Sequence, residues 1–270
     1  MDLQAIKSRL STLQQKKGGG NGKNEREKYF WKPPVGKYSI RIVPSLFNKS
    51  NPFREVMIHY GIGNKTMISL TNFGEKDPIV EFAQQLKKTN EKDNWTLAKK
   101  ISPKMRVFVP VVVRGEEEKG VRLWEFGREM YLELLNIAED EEVGDYTDIT
   151  QGHDLTIDTV GPDVTGTKYN KSSVRVRLKK TPLSEDSTLV TKWLNEQPDV
   201  LQFYKKYEFE EMKNVLMEWL EPSETETTDE DEAPFDTTPQ TPAQPAANYT
   251  LNTKAKKGFN EDEFDDLFND

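Results

Sequence analysis

The stretch Lys99–Phe126, KKISPKMRVFVPVVVRGEEEKGVRLWEF, alternates side-chain type with a period of two on both sides of a Gly- and charge-rich turn. That period belongs to β-strands, whose successive side chains point to opposite faces, and it commits the middle of the chain to a sheet. In the first strand Met105, Val107 and Val109 share one face while Lys104, Arg106 and Phe108 share the other. After the Arg114–Gly120 turn, Val121 and Leu123 fall on one side and Arg122, Trp124 and Phe126 on the other. One face of this hairpin is therefore expected to show cations and aromatic rings to solvent together.

The mixture recurs. In Gly36–Val43, Tyr38, Ile40 and Ile42 oppose Lys37, Ser39 and Arg41; in Lys171–Lys179, Val174, Val176 and Leu178 oppose Lys171, Arg175, Arg177 and Lys179. Arg54–Tyr60 and Thr66–Leu70 read as two more strands, and residues 153–180 as a hairpin turning near Gly161–Asp163 or Gly166. Helical spacing governs Ile79, Phe82, Ala83 and Leu86 after an Asp77-Pro78 start, and again Met130, Tyr131, Leu134, Leu135 and Ala138. Residues 193–220 read as helical, with Phe209, Met212, Val215, Leu216 and Trp219 as an apolar stripe, whereas Lys87–Lys100, with Trp95 among its lysines, reads as a lysine-rich loop. The expected class is mainly β with inserted helices, α+β.

Composition removes several kinds of chemistry. The chain has no cysteine, which excludes disulfides and thiolate metal sites, and its two histidines, His59 and His153, are too few for a histidine cluster. His59, alone near a strand end, is read as a hydrogen-bonded structural residue rather than a ligand or a stacking contact. No apolar run approaches the roughly 20 residues that cross a bilayer, and the N-terminus lacks a signal-peptide stretch, so a soluble intracellular protein is expected. The net charge of −8 is unevenly placed: residues 221–270 hold fourteen of the 46 Asp/Glu and three of the 38 Lys/Arg, a net of −11, which leaves +3 for residues 1–220.

A mildly basic body whose strands interleave cations with aromatics suits single-stranded nucleic acid. Lysine and arginine displace counterions from phosphates, and flat rings stack on unpaired bases at roughly 1–3 kcal/mol each. The candidates for strand contact are Trp31, Lys37, Arg41, Trp95, Lys99, Lys100, Lys104, Arg106, Phe108, Arg122, Trp124, Phe126, Arg128, Lys171, Arg175 and Arg177. An edge strand guarded by lysines against aggregation would explain one such face but not four. A hub or scaffold using the same face for RNA or an acidic protein is the alternative; an enzyme is not expected, since Asp145, Asp148 and Asp154 show neither metal-ligand spacing nor a nucleophile–base arrangement.

The two ends are of other kinds. Residues 1–22 form a basic segment with Leu3, Ile6, Leu10 and Leu13 at helical spacing before Gly18–Gly22. The body is expected over residues 28–220, with an inserted subdomain near 50–100 and C-terminal helices near 190–220. Residues 221–258 are rich in Ser, Thr, Glu, Pro and Ala and read as a disordered linker. Residues 259–270 alternate acids with Phe259, Phe264, Leu267 and Phe268 beside Asp265 and Asp266, a short peptide suited to a partner's groove.

With these parts in order, the chain resembles the single-stranded DNA-binding (helix-destabilising) replication proteins of T-even-type bacteriophages. The resemblance is carried by GKYSIRIVPS at 36–45, MIHYG at 57–61, the Lys99–Arg114 stretch and KGVRLWEFG at 119–127. It implies an OB-fold-like barrel, strand contact by Arg41, the Lys99/Lys100 pair and the aromatics of RLWEF, and coating of single strands during replication, recombination and repair in the host-cell cytoplasm. It also implies cooperative self-association through a basic motif, matched here by Lys7-Ser8-Arg9 with Ser11 and Thr12, and an acidic tail that recruits polymerase, helicase loader or recombinase. Well-known members hold a structural zinc on one histidine and three cysteines. His59 stands where that histidine is expected, but Asp77-Pro78-Ile79-Val80 replaces a Cys-Pro-x-Cys pair; no zinc or other cofactor is therefore expected, and the Ile79/Phe82/Leu86 face is expected to supply the packing instead.

Overall fold

A computed structural model describes residues 28–89 and 91–220. The expected self-association residues Lys7, Ser8, Arg9, Ser11 and Thr12, the linker, and the tail residues Phe259, Phe264, Asp265, Asp266, Leu267 and Phe268 lie outside the described residues. In chain order the elements are β1 (Phe30–Trp31), β2 (Gly36–Ile42), β3 (Arg54–Ile62), β4 (Lys65–Ile68), α1 (Pro78–Lys88), α2 (Lys92–Ile101) and β5 (Lys104–Val113). There follow β6 (Arg122–Phe126), α3 (Arg128–Glu139), β7 (His153–Val160), α4 (Pro162–Thr165), β8 (Lys171–Lys180), α5 (Ser187–Asn195) and α6 (Phe209–Leu220). The described chain divides into a first unit, 28–54 with 108–199, and a second, 55–107 with 200–220. The class is α+β.

Six strands follow one another in the order β1-β6-β5-β2-β7-β8. β1 runs parallel to β6, pairing Trp31 with Trp124, while β2 lies antiparallel to β5 and β7, pairing Arg41 with Val112 and Lys37 with Asp158. β7 and β8 form the antiparallel hairpin expected from sequence, with the short α4 in its turn.

The central strands correct the expectation of a solvent-facing aromatic surface. From Arg106 to Val113 every residue of β5 is buried, and in β6 only Glu125 is partly exposed. Phe108 is wholly buried, and Arg106, Arg122, Trp124 and Phe126 are buried with it. Both faces of these strands are covered, and the rings contact one another: Trp31 lies 5.8 Å from Trp124, Trp124 4.7 Å from Phe126, and Phe53 6.3 and 5.2 Å from Phe126 and Tyr131. Such tilted and edge-on pairs are the arrangements aromatic quadrupoles favour.

Arg41 is also interior, at 0 % exposure. Its Nη1 donates to Asp154 Oδ1 at 3.4 Å and Thr181 Oγ1 at 3.3 Å; its Nη2 donates to the carbonyls of Asp148 and Thr181 at 2.6 and 2.8 Å. Arg114 completes the node, with Nε 3.1 Å from both Asp154 oxygens, Nη2 2.8 Å from Oδ1, and Nη1 2.9 Å from the Leu183 carbonyl. Desolvation pulls the Arg41 guanidinium below its ordinary value, Asp154 opposing that pull and Arg114 adding to it. The chain turns tightly against this node at Gly152, where a Cβ would collide with the Asp148 carbonyl and come within 2.5 Å of Arg41 Nη2.

The second unit packs the β3–β4 hairpin with α1, α2 and α6 around Met67, Leu70, Ile79, Phe82, Leu86 and Met212. The Ile79/Phe82/Leu86 face is buried as expected. One difference has a local cause. Lys92–Ile101 is a helix rather than a loop: Ala98 and Ile101 are its buried residues, too short an apolar stripe to stand out among lysines. The helices expected near 190–220 are α5 and α6, separated by a 3-10 turn at Val200–Phe203 and by Pro198, which lacks the amide hydrogen that a helix interior needs.

Two substitutions test the node. Arg41→Ala leaves the Asp154 carboxylate with one cation and removes a donor from the half-buried carbonyls of Asp148 and Thr181, and is expected to cost about 3–5 kcal/mol of unfolding free energy in urea titrations. Gly152→Ala is expected to cost about 1–3 kcal/mol through overpacking.

Candidate nucleic-acid interface

The expected basic face survives where a strand has one uncovered side. β8 lies at the end of the strand order, and along it Lys171, Arg175, Arg177, Lys179 and Lys180 are exposed while Val174 is buried. The pairing shifts from Leu155↔Val176 to His153↔Lys180, so β8 carries two residues more than β7 there, a bulge that turns Leu178 out to 86 % exposure between Arg177 and Lys179. His153, buried, is bonded through Nδ1 to the Arg177 carbonyl at 2.7 Å, which anchors the bulge. Lys37 is exposed on β2 but lies 3.4 Å from Asp158, its cross-strand partner; its charge is partly offset. Arg128 is exposed at the first position of α3.

The first unit also exposes an aromatic that the strand pattern does not single out. Phe47, 54 % exposed, stands beside Leu46, 43 % exposed, in the loop between β2 and β3, with exposed Lys49 two residues on. The loop is held in shape. Gln197 Oε1 accepts from Leu46 N at 2.9 Å while its Nε2 donates to the carbonyls of Pro44 and Trp193 at 2.8 and 3.0 Å, and Ser45 Oγ accepts from Phe47 N and Asn48 N. A phenylalanine beside lysine in a Pro- and Asn-rich loop, where no apolar face asks for it, is the signal by which it could have been found.

In the second unit the expected cations of α2 are at the surface. Trp95 is 54 % exposed, and Lys99, one turn on, holds its ammonium 5.8 Å from the indole centroid. Lys100 lies 5.5 Å from the Trp219 ring, and Lys104 is exposed at the start of β5. Helical periodicity explains the arrangement: Ala98 and Ile101 take the core side, leaving Trp95 and Lys99 outside.

Of the sequence candidates, then, Lys37, Trp95, Lys99, Lys100, Lys104, Arg128, Lys171, Arg175 and Arg177 are exposed. Trp31, Arg41, Arg106, Phe108, Arg122, Trp124 and Phe126 are buried. That is a correction: a stacking ring needs an open face and a phosphate contact needs a reachable cation, and these side chains instead fill the interior, Arg122 with Glu116 at 2.5 Å.

The family model described as gp32 DNA binding protein like matches residues 35–219. The chain belongs to this family. The match spans both units and every exposed candidate named above, and it agrees with the resemblance read from the sequence motifs. No curated protein matched the chain. No helix among the described residues is long and apolar enough to cross a membrane.

The exposure pattern can be measured without DNA. Trp31, Trp124 and Trp193 are at most 5 % exposed, so Trp95→Phe is expected to remove the most acrylamide-accessible part of the protein's tryptophan emission and leave the shielded part intact.

Proposed function

We propose that this protein binds single-stranded DNA cooperatively and with little sequence preference, coating and protecting strands during phage DNA replication, recombination and repair. The observation that carries the reading is the outward row of Lys171, Arg175 and Arg177 on β8 within a chain that belongs to a DNA-binding family. Preference for single strands is supported by Trp95 beside Lys99 and by Phe47 beside Lys49, since exposed rings among cations can stack on bases only when the bases are unpaired. On this reading the strands of the first unit form the OB-type scaffold implied by the resemblance, the work is binding rather than catalysis, and no cofactor is required.

The ends complete the proposal. Lys7, Ser8, Arg9, Ser11 and Thr12 join neighbouring molecules along the strand. The acidic tail, with Phe259, Phe264, Asp265, Asp266, Leu267 and Phe268, recruits polymerase, helicase loader or recombinase. The net charge of −11 over residues 221–270, against +3 for the rest, also lets the tail and its linker compete with DNA for the basic faces.

Titration with oligothymidylate and with a duplex of equal length, at several salt concentrations, is expected to show binding to the single strand that weakens with salt. Replacing Lys171, Arg175 and Arg177 together by glutamine is expected to reduce the slope of log K against log salt by about 2, near 0.7 for each phosphate no longer neutralised. Equal binding to both forms, or an unchanged slope, would overturn this assignment of β8; equal affinity for matched RNA and DNA would favour an RNA-directed role. Ending the chain at Leu220 is expected to tighten binding and flatten its salt response; unchanged affinity would remove the competing role of the tail.

A further inference from the structure

The centre of the second unit holds a buried polar cluster that DNA binding does not use. His59 on β3 is fully buried, with Nδ1 2.9 Å from the Ile101 carbonyl at the end of α2 and Nε2 3.1 Å from Asp77 Oδ2. The same oxygen accepts from the Ser69 hydroxyl at 2.6 Å and from Leu70 N at 3.0 Å, while Oδ1 accepts from Ile79 N and Val80 N at 3.0 and 3.1 Å as the N-cap of α1. Five donors converge on one carboxylate, which has about four lone-pair sites. Burial alone would raise Asp77, but the hydrogen bond and charge of His59, then Ser69 and the Val80 N–H, hold it below the ordinary carboxylate value.

The pair joins β3, the turn after β4, the start of α1 and the end of α2 at one point inside an apolar cluster.

The resemblance implies a zinc ion here, and the residues do not fit one. The chain has no cysteine, both His59 nitrogens are engaged, the Asp77 oxygens are saturated, and among the described residues no group of three His, Cys, Asp or Glu side chains could hold a metal ion. We propose that the hydrogen-bonded His59–Asp77 pair, closed by the Ser69 hydroxyl, is a metal-free cross-link. Two residues standing at positions where metal ligands are expected bond directly to each other, and the second unit folds without an ion between them.

The test uses the full chain and reads stability and mass rather than DNA binding, so it fails or succeeds apart from the proposed function. Native mass spectrometry is expected to give the mass of the bare chain, and the urea midpoint is expected to be the same in EDTA, in added zinc chloride and in neither. His59→Gln and Asp77→Asn are each expected to raise the unfolding constant on the order of a hundred-fold or more, and the double variant less than the two effects combined. Ser69→Ala, a milder change in case those variants do not fold, is expected to raise it several-fold. Bound zinc, a midpoint lowered by EDTA, single substitutions without effect, or strictly additive ones would each overturn the cross-link.

Discussion

A charge in a protein interior must be met by partners of opposite sign and by hydrogen bonds, because the solvation it gives up is worth several kcal/mol even after the protein relaxes. Each unit of this protein is organised around one such case. In the first, Asp154 lies between the guanidinium groups of Arg41 and Arg114, whose Nη atoms also reach the carbonyls of Asp148, Thr181 and Leu183, while the buried Nε of Arg41 has no hydrogen-bond partner among the described residues. In the second, Asp77 gathers His59, Ser69 and three backbone amides. Chain segments far apart in sequence are tied by these carboxylates, and the apolar clusters pack around geometry the charges have fixed.

That constraint sorts the cations. Arg41 and Arg114 are drawn inward by Asp154, and Arg122 by Glu116. The two carboxylates of β7 are already engaged, Asp154 by those arginines and Asp158 by Lys37, so the lysines and arginines of β8 remain outside. A sequence with +3 over residues 1–220 can thus present a locally basic strand, because part of its positive charge is consumed internally and the rest is concentrated where a strand has an uncovered side.

The same sorting explains what could be read from the sequence and what could not. A period of two identifies a strand and its two faces but does not say whether a second layer covers the polar one. For Lys171–Lys179 no described residue covers it, and the alternation gives the surface. For Arg106–Val113 and Arg122–Phe126 both sides are covered, and Phe108, Trp124 and Phe126 lie inside with Trp31 and Phe53. The helix Lys92–Ile101 was hidden because two buried residues suffice to hold it. His59 was correctly read as hydrogen-bonded, but its partner, 18 positions away, is visible only once β3 and the start of α1 are folded together. Phe47 was passed over because loops carry no periodicity against which an exposed ring looks out of place.

The position of β8 at the end of the strand order joins two demands in one set of side chains. An exposed edge invites pairing with another chain's backbone, and charged side chains with a bulge are the usual defence; Lys171, Arg175 and Arg177 and the Leu178 bulge supply it. The same cations form a row to which a phosphate backbone can bind with release of counterions. On the proposed function, protection and recognition are compatible because a protein strand is repelled by the charge that draws a polyanion. Bases need something more than charge, and Phe47 on its clamped loop and Trp95 beside Lys99 are exposed rings whose neighbours gave them no interior to fill.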